Sequence, residues 1–447
     1  MSIKISLNDL TDKEKETIVS RLQFTKKETE YNKFEGMRPV RPYDITEDES
    51  TREAVIYLPF YWALKNIKKC KMPKKDLYPL SGVTFRGTLR PVQKEVQKEA
   101  IQSLNKTGTC ILSLYTGCGK TITGINLACK IKLKTLIIVH RLVLINQWKD
   151  SIYKVCDNAK IQILGTKSEF DDECNFFIMN AINVTKKHHG FFDKIGTLIV
   201  DELHVMGTDK LSQSFFYVKP KYCIGLSATP YRPDGMDDLL NVYFGEHRII
   251  RKLFRHHYVF RVESGFKPEH KMGANGKLDW NSVLESQTGS IERNQIIIDI
   301  VTYFKDRNFL ILSKRISQVE YLVKKLEEIG ESVTSLVGVK KHFNYDSRVL
   351  IATVQKAGVG FDHPKLDSLI IASDVEEYFI QYLGRVFRTE DGLPYIFDIL
   401  DDFPTLKRHY YTRRQVYLEH GGIIKKFSSR EVEKLGYSDF NSTFNYL

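Results

Sequence analysis

Residues 109–124 read TCILSLYTGCGKTITG: a mostly apolar run, a turn carrying two glycines, then Lys-Thr at the start of an amphipathic segment. The pattern predicts a buried strand, a loop and the first turn of a helix. In that placement backbone N–H groups and a helix N-terminus can cradle phosphates. The loop residues Thr116, Gly117, Cys118 and Gly119 would wrap the anion, and Lys120 would neutralise the charge of its terminal phosphates. The Thr121 hydroxyl would face Mg²⁺. Gly117 and Gly119 let the backbone turn without a Cβ clash. The full phosphate-loop pattern places glycine where this chain has Leu114, so the match covers its second half only.

Outward from this loop, short apolar runs alternate with amphipathic segments over about 89–245: TCILSLY, KTLIIVH, CNFFIMN, GTLIVDE and KYCIGLSAT, with helix-like RLVLINQWKDSIYKV among them. A second series, over 293–402, contains NFLILS, the helix-like ISQVEYLVKKLEEIG, RVLIAT, SLIIAS and YIFDIL. Continuous apolar strands separated by helices are the pattern of parallel sheets covered on both faces. The chain is therefore expected to be α/β, with two such domains. Residues 1–88, with the aromatic stretch AVIYLPFYWALKNI, read as an N-terminal accessory region. The polar, turn-rich 246–292 reads as a linker or insertion, and 403–447 as a C-terminal extension.

In LIVDELH, residues 198–204, Asp201 and Glu202 follow an apolar strand. Two carboxylates there are costly to bury unless a cation or hydrogen bonds compensate them. Asp201 suits Mg²⁺ and Glu202 the polarisation of an attacking water, whereas an acidic helix cap would explain one of the two.

The chain has 447 residues, 42% hydrophobic and 12% aromatic, which is ample for more than one core. Lys and Arg number 67 against 55 Asp and Glu, a net charge of +12 that suits a polyanion such as nucleic acid. No apolar run is long enough to span a bilayer and the N-terminus turns charged early, so an intracellular protein without a membrane partner is expected. The seven cysteines are scattered, without a C-x-x-C pair, and read as reduced thiols. His188–His189 and His256–His257 read as surface pairs. Past residue 402, Lys407, Arg408, Arg413 and Arg414 alternate with tyrosines, and two readings stand: a strand-binding surface, or a helix docked on the second domain.

Taken in order, these stretches resemble superfamily 2 helicases and translocases of the DEAD/DEAH type, over roughly 89–402. LRPVQ, with Gln93, looks like the adenine-reading segment, TGCGKT like motif I, VHRLVLINQW like Ia, DELH like II and SAT like III. In the second series LILSKR resembles motif IV, IATVQKAGVGFD a lengthened motif V, and QYLGRVFR motif VI. LRPVQ, LINQW and GLSATPYRPDGMD look closest to excision-repair translocases, phage recombination helicases and the poxvirus transcript-release helicase, which points to a large DNA virus as source.

The resemblance implies two tandem RecA-like domains with ATP and Mg²⁺ in the cleft between them. It implies that Gln381, Arg385 and Arg388 of motif VI meet the γ-phosphate, with Asp362 and Gly360 of motif V supporting the nucleotide side. His204 would link the ATP site to motif III. Arg141, Gln147, Ser227, Thr229 and Thr353 would touch the nucleic-acid backbone or couple the domains. The implied partner is nucleic acid, DNA before RNA, in a setting of transcription or repair.

Overall fold

The interior strands of the two large sheets, such as Thr135–Val139, Thr197–Val200 and Phe309–Ser313, are rich in Val, Ile and Leu because they are buried on both faces. The computed structural model describes residues 1–25, 39–48, 51–228, 235–273, 276–338, 340, 342–358, 363–375, 379–387 and 392–437. They fall into two compact units, Met1–Arg251 and Lys252–Leu447.

The first unit is built on a seven-stranded sheet whose order is Arg248–Arg251, Thr109–Leu114, Tyr222–Ser227, Thr197–Val200, Thr135–Val139, Phe176–Asn180 and Ile161–Leu164. Every neighbouring pair is parallel. Alternate side chains enter separate cores: Leu198 and Val200 pack on one face, Ile199 on the other. Helices Pro91–Thr107, Lys120–Ile131 and Leu142–Val155 supply the second of these layers with Val96, Ile125 and Trp148.

The second unit repeats the plan with the order Val333–Leu336, Val349–Thr353, Phe309–Ser313, Ser368–Ile371, Tyr395–Leu400, His257–Glu263 and Gly422–Lys426, again all parallel. Two parallel sheets flanked by helices are the expected tandem RecA-like architecture. Among the described residues, no helix is long and apolar enough to cross a membrane.

Three stretches are more deeply integrated than their composition suggests. The N-terminal region forms an antiparallel sheet, Ser2–Ser6 beside Ala54–Pro59 beside Asp44–Glu47, whose Val55, Tyr57 and Phe60 enter a core of the first unit. The 246–292 stretch, expected as a linker or insertion, gives Arg248–Arg251 to the first sheet and His257–Glu263 to the second. Its polar turn composition describes only the part around the small Lys271–Met272 and Leu278–Asp279 hairpin. The C-terminal extension supplies helix Pro404–Glu419 and the edge strand Gly422–Lys426.

That helix docks on the second sheet, the second of the two readings of its basic, aromatic sequence, and leaves one face exposed. Arg413, Tyr410 and Tyr417 are buried against the sheet, whereas Arg408, Tyr411 and Arg414 are exposed. The histidine pairs also depart from expectation. His257 is buried, with Nδ1 2.7 Å from the Arg255 carbonyl. His189 stacks between Tyr57 and Tyr217, at centroid distances of 4.3 and 4.5 Å, where the N-terminal sheet meets the rest of its unit.

Candidate nucleotide site

The sheet order of the first unit sets three strand ends side by side: Leu114 before the glycine loop, Ser227, and Val200 before the carboxylates. Parallel α/β sheets bind ligands at this carboxyl edge.

The loop is already shaped. Gly117 and Gly119 have φ of 89° and 88°, in the left-handed region that favours glycine. A Cβ at residue 119 would also lie 2.3 Å from Gln93 Nε2 and would displace that side chain, so the torsion favours glycine there and the Gln93 contact is kept by it. Helix Lys120–Ile131 starts at once, with Thr123 N–H and Oγ1 both donating to the Gly119 carbonyl at 3.0 Å. Lys120 Nζ folds inward and donates to the Leu114 carbonyl at 3.2 Å, which places its charge inside the loop. Thr116 and Thr121 are half-buried and Cys118 is buried.

Two residues ahead of the loop brace it. Arg90 Nη2 donates to the Gly117 carbonyl at 2.8 Å, and Gln93 Nε2 to the Gly119 carbonyl at 3.3 Å. Gln93 Oε1 accepts the Arg90 N–H at 2.8 Å, capping helix Pro91–Thr107. The amide expected to read adenine therefore spends one N–H and one lone pair on the protein and keeps one of each.

Asp201 leaves the sheet through a last ladder bond, its N–H donating to the Ile138 carbonyl at 3.0 Å. Its Oδ1 accepts the Glu202 N–H at 3.0 Å and its Oδ2 the Trp148 indole N–H at 2.8 Å. Burial, then the neighbouring Glu202 charge, pushes the Asp201 carboxyl up to about 6; the Trp148 bond and Lys120 act the other way. Glu202 has φ 46° and ψ 54°, a left-handed conformation that costs a non-glycine residue on the order of 1 kcal/mol or more. This turns its side chain toward His204, whose Nδ1 lies 3.5 Å from Glu202 Oε2 and 3.0 Å from Ser227 Oγ. His204 thus touches both the carboxylate turn and the strand end that carries SAT, the placement a linking residue needs. His140 is held down to about 4, first by burial and then by Arg141, and is neutral near pH 7.

The donor set fits a hard divalent cation. It offers oxygen ligands, one carboxyl that burial and a like charge hold up, and a buried Glu202 Oε2 that makes no hydrogen bond among the described residues. Asp201 and Thr121 are the residues that would hold it.

The remaining predicted residues divide by unit. Arg141 is exposed at the start of helix Leu142–Val155, which also carries Gln147. Thr353 ends a strand of the second unit, and Gln381 and Arg385 are buried on helix Phe379–Val386. Tyr382 OH on that helix donates to the Val354 carbonyl at 3.0 Å, joining it to the segment that resembles motif V. Thr229, Gly360, Asp362 and Arg388 lie outside the described residues. Arg90 and Trp148 escaped the sequence reading. LRPVQ and LINQW contained them, but only their partners, on other elements, reveal what they hold.

Comparison with known proteins agrees with this geometry. A family model, "Type III restriction enzyme, res subunit", matches residues 86–232. "Putative helicase 161L" of Invertebrate iridescent virus 6 is 44% identical over 399 residues, covering 83% of this chain and 89% of that one. "Putative helicase 055L" of Frog virus 3 (isolate Goorha) is 32% identical over 379 residues, covering 83% and 86%. Among solved structures, S. cerevisiae Dbp5 bound to RNA and ADP BeF3 superposes with a TM-score of 0.54 at 13% identity, covering 76% of this chain and 92% of Dbp5, a likeness of fold. These relatives fit a large DNA virus as source, and with two parallel RecA-like sheets and the motifs in order, the chain belongs to the superfamily 2 helicases.

Proposed function

We propose that this protein is a DExH-type ATPase that works inside the cell as a motor on nucleic acid, moving along or unwinding DNA. The observation that carries the reading is the buried Asp201 beside the half-buried Glu202, on the same sheet edge as the inward-folded Lys120, whose charge draws the Asp201 carboxyl down without offsetting its burial. The loop N–H groups and Lys120 bind the phosphates. Asp201 and Thr121 would hold Mg²⁺, which would supply positive charge to the bound phosphates. Glu202 accepts a hydrogen bond from the attacking water and takes its proton. Gln381, Arg385 and Arg388 supply the donors and charge that meet the transferring phosphoryl group. Arg141, Thr353 and their neighbours hold a strand through its backbone, which positions without reading sequence.

DNA stands first because LRPVQ, LINQW and GLSATPYRPDGMD look like the DNA translocase branch. RNA is the second reading, favoured by the name of a mimivirus relative, "Putative ATP-dependent RNA helicase L396", 27% identical over 388 residues. Steady-state ATP turnover with single-stranded DNA, duplex DNA and RNA, at two salt concentrations, tests both. Turnover should rise with the true substrate, and binding should weaken steeply with salt as counterions are released. An ATPase indifferent to every polynucleotide would sink the motor; stimulation by RNA alone would promote the second reading.

A further inference from the structure

Asp201 is oriented by a side chain from a different element. Trp148 lies on helix Leu142–Val155, is 1% exposed, and aims its indole N–H at Asp201 Oδ2 across 2.8 Å. The far edge of its ring packs on the phosphate-loop helix: a Cβ added at Gly124 would sit 3.4 Å from Trp148 Cη2. Asp201 Oδ1 is fixed by the Glu202 N–H at 3.0 Å. Both carboxylate oxygens are therefore set by neutral donors, and the ring that sets one is wedged against the helix that begins with Lys120.

The choice of donor matters chemically. An arginine or lysine here would orient the carboxylate but also cancel its charge and compete with a metal ion. Indole is a donor without charge or acceptor capacity. It offsets part of the cost of burying Asp201, fixes the plane of the carboxylate, and leaves its negative charge for a divalent cation. Each oxygen keeps a further lone pair for a metal-bound water.

We infer that Trp148 is a positioning residue for the cation site, holding the Asp201 carboxylate in the orientation that Mg²⁺-nucleotide binding requires. The inference rests on the proposed reading of Asp201 as the cation carboxylate. Outer-shell partners of metal ligands are typically worth about 10- to 100-fold in metal affinity or activity. Trp148→Phe keeps a ring against Gly124 and removes only the donor and some ring volume.

Two measurements test it. In Trp148→Phe the Mg²⁺ concentration for half-maximal ATP turnover should rise by about 10-fold, while turnover at saturating Mg²⁺ recovers to within about 3-fold of wild type. A purely structural role would lower turnover at every Mg²⁺ concentration. The second readout needs no turnover. The protein has three tryptophans, so ¹H–¹⁵N spectra of the full chain should show three indole signals, with that of Trp148 identified by elimination as the one kept in both Trp62→Phe and Trp280→Phe. That signal should move on adding Mg²⁺ with a non-hydrolysable ATP analogue, and stay put with the analogue in excess chelator. In Asp201→Asn it should no longer respond to Mg²⁺, which tests the contact even if Trp148→Phe folds poorly.

A wild-type protein that turns over ATP beside a Trp148→Phe protein with unchanged Mg²⁺ dependence, or a Trp148 signal unmoved by Mg²⁺-nucleotide, would overturn this inference alone. A wild type that binds no nucleotide at any Mg²⁺ concentration would overturn the proposed function and this inference with it.

Discussion

Each large sheet places buried carboxylate charge within or just past an interior strand, and the two sheets treat that charge in opposite ways. In the first, Asp201 accepts from the neutral Trp148 and Glu202 N–H groups among the described residues, and its carboxyl rises to about 6 although Lys120 acts the other way. In the second, Asp398 meets Arg413 Nη2 at 2.7 Å and Nε at 2.9 Å, with Tyr417 OH at 2.8 Å. Asp401, just past the same strand, takes Arg293 Nε at 2.8 Å. Asp374 joins Arg413 and His409; burial pushes its carboxyl up, but the His409 bond and the Arg413 charge outweigh this and hold it below its ordinary value. Burying an ion costs several kcal/mol unless a counter-charge and good geometry offset it. The second sheet supplies that offset from its own chain. The first sets no cation within hydrogen-bonding distance of Asp201 among the described residues, which fits the proposed cation site.

The largest expected break of this contrast is chemical. Glu202→Gln keeps the shape of the carboxylate turn but removes the base, so hydrolysis should fall by about 10²- to 10⁴-fold while nucleotide still binds. Single-turnover hydrolysis beside equilibrium binding reads the two separately. Hydrolysis near the wild-type rate would place the base elsewhere.

Next comes the clasped side. Asp398→Asn removes the nearer of the two counter-charges of buried Arg413, leaving Asp374 at 3.3 Å, and should cost about 3 kcal/mol. The denaturant midpoint of the second unit measures it. A loss under about 1 kcal/mol would mean that Arg413 finds other partners and that this network does not hold the helix Pro404–Glu419.

Asp201→Asn should change how stability depends on pH. A carboxyl raised from 3.8 to about 6 binds its proton more tightly in the folded chain, so its stabilising contribution is complete below about pH 4 and lost as pH rises through 6. The amide sets its NH₂ against one of the Trp148 and Glu202 N–H donors, a cost of about 1–3 kcal/mol that is the same at every pH. The stability of the variant relative to wild type should therefore rise by on the order of 2 kcal/mol between about pH 4 and pH 8. Turnover should be lost throughout. A relative stability that does not change over that range would show that the free carboxylate is better compensated than its surroundings indicate.

What the sequence made legible follows the same division. The glycine loop, Lys120, and the Asp201–Glu202 pair could be read because their signals are local: a strand, a tight turn and a helix start within a few residues. The partners that fix them come from far along the chain, as Trp148 does for Asp201 and Arg90 for Gly117, and one sequence records no such pairing. Helix Pro404–Glu419 hid its orientation for a related reason. Its inward face mixes Leu406, Tyr410 and Tyr417 with buried Arg413 and His409, which are held by carboxylates, while Tyr411 and Leu418 are exposed, so hydrophobic periodicity could not separate the docked face from the exposed one. The strands inside 246–292 were masked by the turn residues beside them. Arg388, Asp362 and Thr229 fall outside the described residues, and their assignments rest on motif likeness.

The smallest expected effect asks whether the phosphate loop is shaped by the protein or by its ligand. The Arg90 bond to the Gly117 carbonyl is exposed, so Arg90→Ala should cost only about 0.5–1 kcal/mol, a two- to fivefold weaker nucleotide affinity. If the bond serves only to pre-shape the loop, the loss is the same before and during reaction. ATP and ADP should then weaken alike, with turnover at saturation unchanged, the signature of uniform binding. Titration of both nucleotides into wild type and variant, with kcat from the same preparations, decides it. A fall in kcat, or a loss confined to ATP, would mean that Arg90 acts on the transferring phosphate itself, so that the cations of the first unit, like its carboxylates, are held for the reaction rather than for the fold.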